Sequence, residues 1–283
     1  MSCNVDSRPS VTVKLSGGLG NQLFQYAAAR ALALRSDARL ILDTTFYRSR
    51  RHRDLELDAF PIQADGVLSS GTLSKLVRKF VAKSDGYREP HFHFDPQLTQ
   101  LNPPVVLDGY FQSERYFNDQ APTIRGDLRC PEPVDDQIRQ LGQRIRDSGA
   151  TSLHVRRGDY VTNKNASGTF CTCTMDYYRN AMERIPGDDP VYVFSDDLAW
   201  AKENLPPVKN LIFAESDRAR RGLDDLWLMT HARNHIIANS TFSWWGAWLA
   251  DSQDGLTIAP VHWFVDESTN DRDLIPAHWI RVA

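Results

Sequence analysis

The chain has 283 residues, of which 24% are charged and 41% hydrophobic, and 33 Lys and Arg against 36 Asp and Glu leave a formal net charge of -3. These values are typical of a folded globular protein with one large or two ordinary domains, and they exclude wholesale disorder. They also argue against nucleic acid as a partner, because proteins that follow a phosphate backbone carry a basic excess.

The amino-terminal residues contain no basic segment followed by an apolar run, and no uncharged apolar stretch approaches the roughly 20 residues of a membrane helix. We therefore expect a cytoplasmic protein, with at most peripheral association with the inner face of the plasma membrane. Four cysteines are too few for a disulfide framework, so we expect reduced thiols. Cys171 and Cys173 could form a metal site with His91 and His93, but nothing in the sequence brings the two pairs together.

The first half of the chain opens with a predicted β-α-β unit. Apolar residues alternate with polar ones, a glycine-rich turn interrupts them at 17–20, and an Ala-rich run with helical spacing follows. The pattern between 54 and 104 is weaker. The predicted elements are strands over 11–15, 39–43 and 105–107 and helices over 22–35 and 74–82.

The second half of the chain alternates regularly between short apolar runs and amphipathic segments. The predicted strands are 152–156, 191–195, 211–214, 235–238 and 256–259, and the predicted helices are 135–148, 176–185, 198–204, 223–231 and 243–249. Such alternation favours a parallel sheet covered by helices. We therefore predict an α/β protein of two Rossmann-like lobes facing a cleft, with domains over 10–134 and 135–283.

The glycine-rich turn over 17–20 lies between a strand and a helix, where backbone N–H groups and the helix dipole attract anions. It is a candidate contact for a phosphate or a sugar, and the alternative is a turn that only needs a positive φ. Gly18, Gly20 and Asp43 imitate a dinucleotide-binding fingerprint. That fingerprint is incomplete, because Leu23 occupies the position of the third small residue.

A second candidate segment reads HVRRGDY. His154 and Arg156 point to the same side of a strand, at its carboxyl end, where open α/β sheets bind ligands. The guanidinium group could bind a diphosphate through two hydrogen bonds. Two alternatives remain, a surface salt bridge between Arg157 and Asp159, and an adhesion tripeptide over 157–159 that would require export.

Polar residues end two further strands. Asp196 could accept hydrogen bonds from a base or a ribose, and Asp197 is placed as the N-cap of a helix. The hydroxyl groups of Ser240, Thr241 and Ser243 cluster where another helix begins, so they cap it, bind phosphate, or do both.

Two other charged clusters have less defined roles. Asp271 and Asp273 form a carboxylate pair of the kind that binds a divalent metal, but an arginine lies between them and turn-forming residues surround them. The basic run over 48–53 is interpreted as a solvated loop, with contact to an anionic membrane or substrate as the alternative.

Five segments follow one another in a distinctive order: GGLGNQLFQY (17–26), GYFQSERYF (109–117), HVRRGDY (154–160), FSDD (194–197) and NSTFSWWGAW (239–248). In this order and over most of the chain they resemble the bacterial α-1,2-fucosyltransferase family.

The resemblance implies a GT-B fold, with an N-terminal lobe on the acceptor side and a C-terminal lobe that binds GDP-fucose. It implies transfer of L-fucose from GDP-fucose, with inversion at the anomeric carbon, to the 2-hydroxyl group of a terminal galactoside. The acceptor would be an oligosaccharide or glycolipid of cell-surface polysaccharide biosynthesis, and no metal or other cofactor is expected. It also places the 154–160 segment near the donor diphosphate, an Asp of the 194–197 segment at guanosine, and the 239–243 segment at the phosphates.

The candidate catalytic residues are Arg156, which would stabilise the charge of the leaving group, and His154 and Asp159, which are alternative bases for the acceptor hydroxyl group. An oxocarbenium-like transition state would also tolerate a weak or absent base. The candidate donor-binding residues are Gly18, Asn21, Arg157, Ser195, Asp196, Ser240, Thr241, Phe242 and Ser243.

Two other classes of protein remain as alternatives. A Rossmann-type NAD-dependent oxidoreductase would use Gly18, Gly20 and Asp43, but it leaves the 154–160 and 239–248 segments unexplained. A non-catalytic adhesion or lectin-like module would use the tripeptide and the aromatic residues. Binding of NAD but not GDP would favour the first alternative, and detection outside the cell without turnover of a sugar nucleotide would favour the second.

Overall fold

The computed structural model of the chain describes residues 7–48, 54–69, 85–157, 171–207, 210–215, 222–252, 254–266 and 268–283. The chain divides into two compact units. The N-lobe comprises Met1–Arg129 with Arg272–Leu274, and the C-lobe comprises Cys130–Asp271 with Ile275–Ala283. Within the described ranges, no helix is both long and apolar enough to cross a membrane.

The N-lobe contains a five-stranded parallel sheet in the order β3-β2-β1-β5-β4. Its strands are β1 (Ser10–Lys14), β2 (Arg39–Asp43), β3 (Gly66–Leu68), β4 (Asp85–Arg88) and β5 (Val105–Asp108), and its helices are α1 (Leu19–Arg35) and α2 (Ala121–Asp127). The central strand β1 buries Val11 and Val13 completely. The alanines of α1 at 27–29 are also fully buried, because their small side chains let the helix backbone lie close to the sheet.

Three features of the N-lobe differ from the sequence-based expectation. Helix α1 begins at Leu19, three residues earlier than predicted, because the extended residue Gly18 serves as its N-cap and Gly20 is accommodated in the first turn. Strands β3 and β4 were not predicted. β3 has three residues and β4 reads Asp-Gly-Tyr-Arg, and both lie at edges of the sheet, where intrinsic strand preference is weak. The predicted helix over 74–82 lies outside the described residues.

The C-lobe contains a six-stranded parallel sheet in the order β11-β10-β9-β6-β7-β8. Counted from β6, this is the order 3-2-1-4-5-6 of dinucleotide-binding folds. Its strands are β6 (Thr151–Val155), β7 (Val191–Ser195), β8 (Leu211–Phe213), β9 (Asn234–Ile236), β10 (Thr257–Pro260) and β11 (Ile280–Val282). Its helices are α3 (Asp136–Asp147), α4 (Met175–Met182), α5 (Leu198–Asn204), α6 (Gly222–Thr230) and α7 (Thr241–Trp248).

The predicted α/β fold with two Rossmann-like lobes, the GT-B type, is confirmed. The strands and helices predicted for the second half of the chain all occur, with ends that differ by a few residues, whereas the short strand β11 was not predicted. Regular alternation of apolar and amphipathic segments was therefore a sufficient signal in the C-lobe.

Both faces of the C-lobe sheet are covered by helices. One face packs against α4 through a cluster that includes Leu153, Val155 and Val193. The opposite face carries Tyr192 and Phe194 and packs against α3 and α6. The central strands are buried on both faces, and all five residues of β6 are buried. The first partly exposed side chains are those of Arg156 and Arg157, which follow its carboxyl end.

Candidate functional site

The candidate site of the C-lobe lies at the carboxyl edge of its sheet, where the strand order reverses. β7 and β8 lie on one side of β6, and β9 to β11 lie on the other, so the chain leaves β6 and β9 in opposite directions. Ligands of such sheets bind in the crevice that this divergence opens. Arg156 follows β6, Asp196 follows β7 and Ser240 follows β9. The fold thus brings three separate sequence motifs to one edge of the sheet.

Asp196 holds the arginine that follows β6. Its Oδ2 atom lies 3.0 Å from Nη1 of Arg156, and its Oδ1 atom accepts the backbone N–H of Arg157 at 2.9 Å. The side chains of Arg156 and Asp196 are about a quarter exposed, at 24% and 25%. A guanidinium group is planar and its donors have fixed directions, so a bond to one nitrogen orients the whole group. One carboxylate therefore fixes both Arg156 and the start of the next loop.

Arg157 is held in a different way. Its guanidinium carbon lies 3.9 Å from the centre of the Trp200 ring, and its Nε atom lies 3.7 Å from Oδ2 of Asp197. Asp197 also accepts the backbone N–H of Trp200 at 3.1 Å, which confirms the predicted N-cap of α5. The hydroxyl group of Ser195 accepts the backbone N–H of Asp197 at 2.9 Å. The contact with Trp200 was not predicted from the sequence. The available signal was an aromatic residue in the first turn of α5, directly after the two aspartates.

His154 lies in β6, two residues before Arg156, and is 4% exposed. Its ring lies 5.7 Å from the ring of Phe242, and its carbonyl oxygen accepts the hydroxyl group of Tyr178 at 3.1 Å. Burial and the nearby charge of Arg156 lower the pKa of His154 to about 3. The ring is therefore neutral at physiological pH, and its Nδ1 atom has no hydrogen-bond partner among the described residues.

The segment between β9 and α7 forms the other wall of this edge. Ser240 occupies the N-cap position of α7, but its side chain makes no capping hydrogen bond. Ser243 is fully buried, and its hydroxyl group donates to the carbonyl oxygens of Ala238 at 3.3 Å and Ser240 at 3.2 Å. Ser243 therefore shapes the turn. The hydroxyl group of Ser240 therefore does not offset the positive end of the α7 dipole.

The glycine-rich turn of the N-lobe is a tight junction between β1 and α1. Gly17 has a φ of +80°, and a Cβ atom there would lie 2.6 Å from Nδ2 of Asn21, so both the conformation and the space require glycine. The Oδ1 atom of Asn21 accepts a hydrogen bond from Nε2 of Gln112 at 3.1 Å. The positive φ predicted as one alternative is therefore present at Gly17, while Gly18 has an ordinary φ of −81°.

The other candidate residues have structural partners. Oδ1 of Asp43 accepts the backbone N–H of Thr45 at 3.0 Å, and Leu23, at the third fingerprint position, is fully buried. Oδ1 of Asp271 lies 3.1 Å from Nη1 of Arg281, and Oδ1 of Asp273 lies 2.7 Å from Nη1 of Arg115. No cluster of three or more metal-ligating side chains occurs within the part of the chain that the structure describes.

Some predicted residues cannot be placed. Asp159 and the tripeptide over 157–159 beyond Arg157 lie outside the described residues, as does most of the basic run over 48–53. The role of Asp159 as a base therefore stays a prediction.

Sequence reasoning also missed two polar residues of the N-lobe. Gln25 is fully buried in α1, where its Nε2 atom donates to Oγ of Ser16 at 3.1 Å and to the carbonyl oxygen of Gly109 at 3.0 Å. Glu89 accepts two backbone N–H groups of the turn that follows β5. The signal for Gln25 was a polar residue within an Ala-rich helix, whereas local sequence contained no signal for Glu89.

The edge of the C-lobe sheet thus combines two oriented guanidinium groups with a helix start, as proteins that bind phosphates do. The model of glycosyl transferase family 11 matches residues 4–283. The chain belongs to this family and is a glycosyltransferase. The resemblance stated from the five segments is confirmed.

Individual relatives match most of this chain. The chain is 34% identical to an α-1,2-colitosyltransferase of Escherichia coli, over 96% of this chain and 98% of that protein. It is 27% identical to galactoside α-(1,2)-fucosyltransferase 2 of Mus musculus, over 84% of this chain and 68% of that protein. The crystal structure of fucosyltransferase NodZ from Bradyrhizobium covers 85% of this chain and 93% of its own, with 13% identity and a TM-score of 0.49.

Membership of this family overturns the oxidoreductase alternative. The physical reason lies in the fingerprint itself. Leu23 occupies the position where a third small residue would let the helix pack closely on the strand, and Asp43 is bonded to its own turn.

Proposed function

We propose that the protein is an inverting α-1,2-fucosyltransferase that moves L-fucose from GDP-fucose to the 2-hydroxyl group of a terminal galactoside. The observation that carries this proposal is Arg156, which follows β6 at the point of strand reversal and is oriented by Asp196 at 3.0 Å. The names of the bacterial and mammalian relatives, which specify α-1,2 transfer and, for the mammalian protein, a galactoside acceptor, support the linkage and the acceptor class.

The chemical requirement is stabilisation of the leaving GDP. As the bond between fucose and the β-phosphate breaks, negative charge grows on the diphosphate, and preorganised donors lower the energy of that state. Arg156 and Arg157 supply guanidinium groups that are already oriented, and the start of α7 supplies the positive end of a helix dipole. Ser240, Thr241 and Phe242 of that segment, together with Gly18 and Asn21 of the N-lobe, stay proposed donor contacts.

Asp196 supports this arrangement as a positioning residue. Both of its oxygens bond to the loop after β6, one to the side chain of Arg156 and one to the backbone of Arg157. A carboxylate oxygen has two lone pairs, so a contact with guanosine is compatible with these bonds. We therefore keep Asp196 as a guanosine contact and add that it orients the phosphate-binding arginine.

His154 fits a positioning role better than proton transfer. A ring whose pKa is lowered to about 3 is a weak base, and it is buried beside Phe242 instead of facing solvent. A neutral ring at this position also adds no positive charge that would repel Arg156. Asp159 stays the other candidate base.

The donor sugar is the part of the proposal that the relatives leave open, because one is named for colitose and another for fucose. Colitose is fucose without its 3-hydroxyl group. A site built to bind that hydroxyl group discriminates strongly against the analogue that lacks it, because the polar groups of the protein then lose their partner. Comparing GDP-fucose with GDP-colitose therefore tests the donor directly.

The deciding experiment incubates the purified protein with each donor and a panel of β-galactosides in the presence of EDTA, and identifies the product linkage by NMR. We expect a fucosylated product with an α-1,2 linkage and release of one GDP per transfer. Transfer from GDP-colitose alone would replace fucose in the proposal, and retention of the β configuration would overturn the inverting mechanism. Oligosaccharide and glycolipid acceptors, tested with and without anionic vesicles, address the predicted acceptor type and peripheral membrane association.

A further inference from the structure

A crevice of ≈ 370 Å³ opens within the N-lobe at the carboxyl edge of its sheet. It is lined by Ser16 after β1, by residues 88–92 at and after the end of β4, and by residues 108–110 at and after the end of β5. Small-molecule sites in proteins begin at about this volume. All of the lining residues belong to the N-lobe.

The crevice lies at the carboxyl ends of three neighbouring strands of the N-lobe sheet, β1, β5 and β4. Gln25 fixes the connections after β1 and β5, because its side chain bonds to the backbone N–H and hydroxyl group of Ser16 and to the carbonyl oxygen of Gly109. The crevice is thus a built feature at the position where α/β sheets bind ligands.

One wall of the crevice is a strained turn. Oε2 and Oε1 of Glu89 accept the backbone N–H groups of Tyr110 at 2.7 Å and Phe111 at 2.9 Å. Phe111 has a φ of +56°, which non-glycine residues rarely adopt, and a Cβ atom at Gly109 would lie 2.4 Å from Cβ of Glu89. Glu89 therefore maintains a backbone conformation that the turn would not adopt by itself. This conformation holds Tyr110 at the crevice with 37% of the residue exposed.

The chemistry of the lining favours a neutral ligand rich in hydroxyl groups. The carboxylate of Asp108 can accept hydrogen bonds from hydroxyl groups, and its Oδ2 atom lies 2.8 Å from Nζ of Lys14, so this pair adds no net charge to the crevice. Arg88 supplies donors, while Tyr110 and Phe92 supply aromatic surface. A pyranose ring combines hydroxyl groups on its rim with an apolar C–H face that stacks on such rings.

From this geometry we infer that the crevice binds a pyranose ring of the acceptor, with Tyr110 as the stacking surface, Arg88 and Asp108 as partners of its hydroxyl groups, and Glu89 as the positioning residue of the turn. The identification of the sugar as the acceptor rests on the proposed function. The crevice combines a volume of ≈ 370 Å³, exposed aromatic surface and a strained turn.

The test measures Michaelis constants for donor and acceptor separately in the wild type, Tyr110→Ala and Leu34→Ala. Leu34 is the matched control, since it is 36% exposed in the same lobe but does not line the crevice. We expect Tyr110→Ala to raise the acceptor KM about tenfold, and Leu34→Ala to leave it within twofold of the wild type, with the donor KM unchanged in both. Equal acceptor constants in the two variants would overturn the inference.

Two further variants separate sugar binding from folding. Tyr110→Phe keeps the ring and should keep the acceptor KM within threefold, whereas Glu89→Gln, which replaces one of two acceptor oxygens by an amide donor, should raise it without changing the donor KM. Circular dichroism melting checks that each variant is folded. A donor KM that rises as much as the acceptor KM would mean a general disturbance and would contradict the assignment.

Direct binding distinguishes this inference from the proposed function. Saturation-transfer NMR with methyl β-galactoside and saturating GDP should show contact with the wild type and a much weaker signal with Tyr110→Ala. If the wild type transfers no fucose yet binds the galactoside through Tyr110, the proposed function fails and the crevice stands as a sugar site. Transfer to galactosides with unchanged binding by Tyr110→Ala would overturn the crevice alone.

Discussion

Both lobes contain a parallel sheet, but they differ in strand order and in the chemistry at the carboxyl edge of the sheet. In the C-lobe, Arg156 and Arg157 follow β6 and the helix α7 starts after β9, so the edge is positive. In the N-lobe, two glycines follow β1, Lys14 at the end of β1 is paired with Asp108 at 2.8 Å, and the turn after β5 is held by Glu89. The carboxyl edge of a parallel sheet thus suits a diphosphate in one lobe and a neutral sugar in the other. Topology places a site, and side chains select its ligand.

The largest effect is expected when the guanidinium group of Arg156 is removed. Arg156→Lys should lower kcat by about 10²- to 10³-fold, because an ammonium group cannot reproduce the planar donors and loses roughly 2.7–4 kcal/mol of stabilisation of the leaving diphosphate. Steady-state kinetics with GDP-fucose, together with circular dichroism to check the fold, measure this.

Arg157→Lys is the matched control for that variant. Its guanidinium group stacks on Trp200, and its nearest carboxylate atom lies 3.7 Å away, so it is less specifically oriented than Arg156. We expect a smaller loss. Similar mild losses in both variants would contradict the assignment of Arg156 as the principal phosphate ligand.

The next largest effect is expected when Arg156 is kept but the carboxylate that orients it is removed. Asp196→Asn keeps the size of the side chain but removes the charge beside Nη1 of Arg156, so kcat should fall about tenfold as the guanidinium group loses its orientation. A guanosine contact predicts an additional rise in donor KM, because such a contact is made equally in the ground and transition states.

Asp197→Asn provides the comparison, since an amide oxygen can still cap α5. It should leave kcat within a few-fold of the wild type. If Asp196→Asn raised the donor KM with kcat unchanged, Asp196 would be a guanosine ligand alone and not a positioning residue.

The two lobes should also differ in how pH affects their stability. Burial lowers the pKa of His235 to about 4, and burial together with the charge of Arg156 lowers that of His154 to about 3, both in the C-lobe. Below about pH 6.5 these histidines are protonated in the unfolded chain but stay neutral in the folded lobe. Their contribution to the free energy of unfolding is therefore fully present above that pH and falls as the pH decreases. Each histidine contributes a slope of about 1.4 kcal/mol per pH unit between roughly pH 6 and 4.5.

Glu89 in the N-lobe acts with the opposite sign. Burial raises the pKa of its carboxyl group to about 7, so the folded lobe keeps a proton that the unfolded chain releases near pH 4.5. Its contribution to stability is therefore present below that pH and is lost as the pH rises through 7. Lowering the pH should therefore decrease the stability of the C-lobe, whereas the contribution of Glu89 to the stability of the N-lobe should increase.

All seven tryptophans lie from Trp200 onward, within the C-lobe, so their fluorescence during urea unfolding reports that lobe. We expect its unfolding free energy to decrease from pH 7 to 5, and His235→Asn to reduce the slope. Glu89→Gln is the control and should leave the fluorescence-detected slope unchanged. A C-lobe that gains stability toward pH 5 would contradict the assigned histidine states.

The difference between the lobes also explains how much the sequence could predict. Strand β7 is an almost continuous apolar run, strand β6 has Leu153 and Val155 in alternation with polar residues, and the N-cap at Asp197 is a local pattern, so these features were predicted correctly. Strand β4 contains Gly86 and two charged residues, and it exists because β5 lies beside it. No local pattern reveals such a strand.

Side-chain roles show the same limit. The motifs identified Arg156 and Asp196, but not that one carboxylate orients the arginine, because that contact joins the ends of two strands 40 residues apart in numbering. Glu89 belongs to none of the five motifs. Its function follows from a turn at 109–111 that only the folded sheet brings beside it.

The smallest expected effect concerns metal. The carboxylates of Asp271 and Asp273 belong to different lobes by their contacts: Asp271 lies against Arg281 and accepts the backbone N–H of Trp263 at 3.2 Å, whereas Asp273 lies against Arg115. Each is therefore already neutralised by an arginine, and a divalent cation would have to displace that partner. The guanidinium groups beside β6 provide the positive charge that a diphosphate needs.

We expect fucose transfer to proceed at an unchanged rate in excess EDTA, and Asp271→Asn to retain activity because an amide oxygen still accepts the bond from Trp263. Loss of activity on chelation, with recovery on addition of manganese or magnesium, would show that the positive edge of the C-lobe is not sufficient and would give the leaving group a metal partner.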